Sequence, residues 1–441
     1  MTNKSELSNR WIVCQFILLY FFIHIVIYSS HNYRETITKE TFQITTQQFS
    51  FIEMISVIKL GGAIFSTYIS QKYIRPLAVT LISSVTFIAT LCILIKKMFA
   101  NQYANLLIGC LHIMSDSSIL PTIDAACLAL LNERNISYEF GKIRVFSTAG
   151  HSITYLINTF IQRIYQDKKI SPSVLINTSF FGGIFILCLA VSLLTLPYKE
   201  APVAEKPSST GEKKSLSWMA RSAYRNVLFV LGVFNTNYTI LILCALGSGI
   251  SRSSLQSYLS EYLIETGSIR GDQGYIYFVR TVFELFVWSI VIWVGDRVSL
   301  EGLLPLGISL GALRSLTYAH MSPASKARNI VPYIAELFKS AYSALFIYVS
   351  IRLAHKYAPE SKKTIAQGML TGMYSGLSPS LAGIISYHVF SNTAHSDVEN
   401  KKYLFKIAGC LGMTAAGLSC VLYAKKNRKS ACLRAAVCDK Y

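Results

Sequence analysis

Twelve long apolar runs constrain this chain more than any other feature. They are Trp11–Tyr28, Phe49–Ser70, Pro76–Ile95, Tyr103–Leu131, Val145–Ile164 and Val174–Leu196, then Val227–Leu246, Tyr275–Val294, Leu303–His320, Val331–Leu353, Ile365–Phe390 and Leu404–Tyr423. A helix of roughly 20 apolar residues crosses the hydrocarbon of a bilayer, whereas a crossing strand needs only about 10. In lipid every backbone polar group must be satisfied within the element itself, which leaves helices as the form for runs of this length. Charged residues make up 15% of the chain, against about a quarter in soluble proteins. The expected fold is therefore an all-α polytopic membrane protein of twelve transmembrane helices. Residues 1–10 are polar, and the run after them is long enough to stay in the membrane, so no cleavable leader is expected.

The net charge of +19 invites a nucleic-acid reading, but the basic residues sit mainly in short loops, as the positive-inside rule expects. With the termini in the cytoplasm, 24 Lys and Arg fall on that side and 14 outside, Arg252 being counted among the outer ones. The polar stretch Pro197–Ser222, rich in Pro, Ser and charge, reads as a flexible cytoplasmic linker. The expected organisation is a six-helix bundle over 1–196, the linker over 197–222, a second six-helix bundle over 223–425 and a basic tail over 426–441. The ten cysteines have no metal-ligand spacing and lie mostly in apolar runs, where cysteine acts as a small hydrophobe. No metal, cofactor or nucleic-acid polymer is expected as a partner.

Charged residues inside the runs are the functional candidates, because an ionised group in hydrocarbon costs a few kcal/mol, roughly 2.5–3.5 on insertion scales. The tenth run holds Glu336 and Lys339, followed by Ser340 and Tyr342. The eighth holds Arg280 and Glu284 at ion-pair spacing, with Trp288 one turn on. The ninth holds Arg314. In the first half, Glu53 and Lys59 are six apart and each needs a partner on another helix. Asp116 and Asp124 lie on nearly the same side of the fourth run, with Pro121 between them and His112 one turn before Asp116. Such charges either pair to fix helix packing or line a polar route. Desolvation favours the protonated form of a carboxylate and a nearby cation favours the charged form, so moving the cation during a conformational change would load or release a proton. Gly368, Gly372 and Gly376 form a smooth ridge for close helix packing, with Gly61 and Gly62 as the expected counterpart in the first half.

Several local motifs carry a family resemblance. Pro121-Thr-Ile-Asp124 is followed by Phe140-Gly141-Lys142-Ile143-Arg144-Val145-Phe146. The ninth run has Leu313-Arg314-Ser315-Leu316 and the tenth Glu336-Leu337-Phe338-Lys339-Ser340. The eleventh has Ala366-Gln367-Gly368 and Gly372-Met373-Tyr374-Ser375-Gly376-Leu377, and Gly295-Asp296-Arg297 follows the eighth. Together these resemble the major facilitator superfamily, in the branch of lactose-permease-like and nucleoside:proton symporters. Lys339 stands where that branch has histidine, and Ser70-Gln71-Lys72 lacks the acidic residue of the first-half cytoplasmic element. The resemblance implies two pseudo-symmetric six-helix bundles, a cavity between them and alternating access. It also implies a coupling group at Glu336 with a partner at Arg314, and Arg144 and Asp124 on the first-half side of the cavity.

The resulting expectation is a secondary transporter at the plasma membrane, coupling a nucleoside or sugar to protons. Glu336, Lys339, Arg314, Glu284 and Arg280 are the proton-coupling candidates. Asp124, Arg144, Asp116, Trp288, Tyr342 and Asn158 are the substrate-binding candidates. An uncoupled facilitator or antiporter on the same fold is one alternative, and a non-transporting receptor or scaffold is another. No Walker motif, metal cluster or nucleophile elbow points to an enzyme.

Overall fold

The computed structural model describes residues 2–31, 34–72, 74–96, 102–164, 171–196, 232–267, 270–295, 297–321, 329–359, 362–392 and 394–438. The linker expected over 197–222 lies outside the described residues.

Helices occupy all twelve expected runs. Six form the first half: Thr2–His31; the pair Thr46–Met54 and Ile58–Lys72; Pro76–Ile95; Gln102–Glu133; Phe140–Ile164; and Ser171–Thr195. Six form the second: Thr236–Gln256, continued by Leu259–Glu265; Arg270–Gly295; Leu300–Ala319; Val331–Tyr357; the pair Lys363–Gly372 and Ser378–Phe390; and Asp397–Cys438. These are the first to twelfth spans below. A short helix, Arg34–Phe42, follows the first span. The basic tail expected from 426 continues the twelfth-span helix to Cys438.

Local chemistry sets the helix starts. Pro76 and Pro332 occupy first-turn positions, where the missing N–H costs nothing. Thr45 and Gln48 form a reciprocal capping box. The seventh span departs most from expectation. Its helix starts at Thr236 rather than Val227, because Asn235 accepts the Tyr238 N–H at 3.0 Å while its own amide donates to Tyr357 O at 2.7 Å. It then runs ten residues beyond Leu246. Arg252 therefore lies within a helix that is long and apolar enough to cross a membrane, not in a loop.

Large apolar side chains such as Phe65, Leu107, Phe160, Leu187 and Leu194 stand exposed on the outside. A soluble monomer rarely shows such a surface, and a lipid-facing one must. Inside are separate apolar cores. One is built from Ile12, Phe16, Ile123, Leu130 and Phe185 of the first half, the other from Leu241, Val291, Leu304, Leu345 and Leu370 of the second. The halves meet where the second span packs on the eleventh and the fifth on the eighth.

The second and eleventh spans break regular α geometry where they meet. The second has a 3-10 turn at Ile55–Val57 and the eleventh a π turn at Met373–Leu377, and the two turns touch. Ser380 Oγ donates to Met54 O at 2.6 Å and Ser378 Oγ to Met373 O at 2.8 Å, satisfying carbonyls beside the breaks. Glycines permit the contact: a Cβ on Gly376 would lie 2.5 Å from Leu60 N, and one on Gly372 2.6 Å from Leu60 Cδ1. The eleventh-span ridge thus seats the second span, but not on the expected counterpart. Gly62 faces Ser117 and Met114 of the fourth span, and Gly61 faces open space.

Candidate functional site

Glu336 is the centre of the buried polar region. It sits in the second turn of the tenth span, 1% exposed. Arg314 of the ninth span donates to Oε1 from Nε at 2.9 Å and Nη2 at 2.6 Å. Tyr318, one turn beyond Arg314, donates to the same oxygen at 3.1 Å. Arg280 of the eighth span donates to Oε2 at 3.1 Å. The carboxylate's charge is thus shared by two guanidinia, the strong form of such a bond.

Arg280 also faces the other half. Its Nη2 donates to Tyr155 Oη at 2.9 Å and lies 3.4 Å from His151 Nε2, both of the fifth span. The intrahelical pair with Glu284 suggested by the spacing does not form, because Glu336 and Tyr155 take the guanidinium. Among the described residues Glu284 has no ion-pair partner. Lys339 donates to Ser343 Oγ at 2.8 Å and lies 5.0 Å over the Tyr342 ring. Ser340 donates to Arg280 O at 2.6 Å, tying the tenth span to the eighth.

In the first half, Arg144 Nη2 contacts Asp124 Oδ2 at 3.3 Å, and Tyr20 Oη donates to the other Asp124 oxygen. From Tyr20 a stack of rings leads toward the centre. His24 Nδ1 bonds Tyr20 O at 2.9 Å, its ring stacks on Tyr28, and Tyr28 stacks on His151. His151 Nε2 lies 2.6 Å from Tyr155 Oη. Asp124 and Glu336 are thus the ends of one continuous ladder of polar and aromatic side chains crossing from half to half.

Other expected site residues lie elsewhere. Asp116 pairs with Lys59 at 2.6 Å. The pair borders a cavity of about 580 Å³ on the flank of the first half, with Arg34, Glu53, His112 and Phe87 also on its wall. His112 turns to Thr90 Oγ1 at 3.1 Å rather than to Asp116. Asn158 is wholly buried, donating to Ser29 O at 3.2 Å and accepting from Asn177, so it joins the first, fifth and sixth spans. Trp288 belongs to the second-half core, edge-on to Tyr348. Tyr342 Oη bonds Ser248 Oγ at 2.9 Å and Tyr374 Oη at 2.6 Å.

Sequence reasoning missed the ring ladder, Tyr318 and Arg252. The ladder had a signal: Tyr20, His24 and Tyr28 recur every fourth residue, as do His151 and Tyr155, and so line one helix face. Among the described residues no three His, Cys, Asp or Glu side chains converge as metal ligands would.

The two halves are also tied at the face opposite the chain termini. Arg34 pairs with Glu53 at 2.7 Å, and Ser257 donates to Glu53 at 3.3 Å. Thr36 donates to Glu261 at 2.9 Å, Thr46 to Asp397 at 3.2 Å, and Ser50 Oγ lies 2.7 Å from Tyr258 Oη. Glu35 is buried beside Lys39, Lys401, Glu261 and Glu265, and burial pushes its carboxyl up to about 8. Toward the terminal face Gly368 lies on Thr67 and Val145 packs against the second-half core.

Comparison with known proteins gives consistent results. The model of the family described as "MFS_1 like family" matches residues 14–397. No curated protein sequence matches. Among solved structures, the nucleoside transporter NupG superposes with a TM-score of 0.66 at 16% identity, covering 93% of this chain and 99% of that one. A bacterial homologue of the human drug peptide transporters PepT1 and PepT2 gives 0.68 at 11% identity, over 95% and 98% of the two chains. A POT family transporter in complex with a thioalcohol-conjugated peptide gives 0.68 at 12% identity, over 94% and 96%.

Proposed function

We propose that this chain, which belongs to the MFS_1 like family and is a multi-pass membrane transporter of the major facilitator fold rather than an enzyme, moves a small polar organic solute by alternating access. The moving bodies are the bundles 1–196 and 223–425, joined by the linker 197–222. The observation that carries the reading is Arg280, which bonds Glu336 in its own half and Tyr155 in the other. Parting the halves at this depth breaks one of those bonds. Rocking of one repeat on the other around a fixed central site is the general mode of such folds.

The same guanidinium provides coupling to protons. When Arg280 follows Tyr155, Glu336 keeps Arg314 alone, and a proton takes the place of the departed cation. When Arg280 returns, the proton leaves. The cargo in this reading is built on a nucleoside or sugar scaffold, the membrane is the plasma membrane, and the termini are cytoplasmic. A second reading, an uncoupled facilitator or antiporter, draws support from the two-bond grip of Arg314 on Glu336, which persists whatever Arg280 does.

The test is uptake into proteoliposomes with and without an inward proton gradient. A panel of labelled nucleosides, sugars and dipeptides is offered to wild type and to Glu336→Gln. Uphill uptake of one class, lost in the variant, supports coupling. Uptake that ignores the gradient and survives the substitution selects the second reading. Absence of flux for every class, with specific binding retained, removes the transport mechanism proposed here.

A further inference from the structure

Charge in the polar middle of the second half does not balance. Four cations, Arg252, Arg280, Arg314 and Lys339, stand against two carboxylates, Glu284 and Glu336. The first half at similar depth is matched, with Lys59 on Asp116 and Arg144 on Asp124. Arg280 and Arg314 share Glu336. Lys339 and Arg252 are left over, and Arg252 is the one that must keep its charge. Its guanidinium lies 4.4 Å over the Tyr374 ring and its Nε is buried with no acceptor. Among the described residues no carboxylate lies within ion-pair distance of it.

A lysine can give up its proton, but a guanidinium in a protein does not. Arg252 is half-buried, and even partial removal of an ion from water without a partner is unfavourable, while a ring face returns about 2 kcal/mol at most. Beside Arg252 is a small void of about 10 Å³, lined also by Ser251, Arg314 and Tyr342. That is roughly the room one water needs. Ser251 is 3% exposed, and its Oγ has no hydrogen-bond partner. An unmatched cation and an unused hydroxyl thus flank one void, and what both lack is an acceptor. The stacked rings of Tyr342, Phe346 and Tyr374 stand alongside.

We propose that the transported solute is an organic anion, whose carboxylate or phosphate docks on Arg252 and Ser251 while its ring or chain packs beside the Tyr342–Phe346–Tyr374 stack. The proposal rests on the transport reading above and narrows it. A neutral nucleoside or sugar leaves Arg252 unmatched, whereas its acidic derivative supplies the missing charge. The void has room for about one water in this conformation, so the solute enters when the halves part.

Two measurements on the purified full-length chain test this. The first needs no ligand: Arg252→Gln is expected to melt at or above the wild-type temperature, because it removes an unmatched charge. A fall like that of Arg314→Gln would show that Arg252 has a structural partner, and would overturn the proposal. The second uses matched probes, nicotinate against nicotinamide and uridine 5′-monophosphate against uridine. At least one acid is expected to raise the melting temperature at a tenfold or more lower concentration than its neutral counterpart. Arg252→Gln should abolish that shift and Arg252→Lys should keep part of it. Equal action of the neutral probe, an acid response that survives Arg252→Gln, or no response to any acid would each overturn the assignment. Acid binding without flux would strike the transport reading and leave the anion assignment standing.

Discussion

Glu336→Gln should destabilise the protein more than the loss of either arginine bound to it, Arg280 or Arg314. The carboxylate accepts bonds of 2.9 and 2.6 Å from Arg314 and 3.1 Å from Arg280, and both guanidinia are 2% exposed. Neutralising it strands both cations. Breaking a buried ion pair from one side costs roughly 3–5 kcal/mol, and glutamine, which preserves shape and one acceptor, places the expected loss near the lower end. Arg280→Gln leaves Glu336 gripped by Arg314 and removes the charge from two hydrogen bonds, to Glu336 and to Tyr155; a glutamine amide still offers a donor for one of them, so the expected loss is that of one charged bond, about 1.5–3 kcal/mol. The double variant Glu336→Gln/Arg314→Gln removes charge from both sides and should recover about 1–3 kcal/mol of the summed single losses, as coupled neighbours do. Thermal unfolding followed with a thiol-reactive dye suits this chain, since Cys127 and Cys244 are free and buried until it unfolds. The expected order of melting temperature is wild type, Arg280→Gln, then Glu336→Gln, with the double variant less damaged than additivity requires. A Glu336→Gln protein that melts with wild type, or strict additivity in the double, would refute this account of the cluster.

Other expectations concern the interface between the halves. Glu35 has a carboxyl raised from 4.5 to about 8 by burial, against the opposing pull of Lys401 and Lys39. The closed face therefore holds a proton that an open one releases, so closure weakens as pH rises from 4.5 to about 8, by at most ~1.4 kcal/mol per unit. Maleimide labelling of Ser50→Cys, sealed beneath Tyr258, should speed up over that window, and Glu35→Gln should flatten the response. Gly376→Ala would set a Cβ 2.5 Å from Leu60 N, and such overpacking costs about 1–3 kcal/mol. It should lower both melting temperature and flux, while Gly61→Ala, which meets nothing within 4 Å, should change neither. Lys59→Met strands Asp116 and should destabilise in the same melting assay, and the addition of Asp116→Leu should restore most of the loss.

Hydropathy made the twelve helical runs legible, because chain length per bilayer thickness is a one-dimensional quantity, and nine of the described helices are long and apolar enough to cross a membrane. The seventh span slipped for a physical reason. Its second half, Gly247 to Ser254, is rich in Gly and Ser, which lowers hydropathy but lets Gly249 seat against Ser378 and Ser248 reach Tyr342. That slip placed Arg252 in a loop. Glu336 and Arg314 were readable as partners from the family motif they resemble. The link from Arg280 to Tyr155 was not, since it depends on how two distant spans face each other. Spacing alone suggested a bond between Arg280 and Glu284, and tertiary packing replaced it with a better acceptor. Asn158 shows the reverse error: a polar residue in an apolar span resembles a ligand contact, yet its amide is consumed in joining three helices.

The central claim is that the face opposite the termini must open for solute to pass. Thr36 and Glu261 meet across the halves there at 2.9 Å. Thr36→Cys/Glu261→Cys, joined by a short thiol cross-linker with a reducible bond, tests that claim most directly in proteoliposomes loaded for uptake. Flux should fall to background on cross-linking and return on reduction, with each single cysteine unaffected. Flux that continues through the cross-linked protein would contradict alternating access between these two bundles.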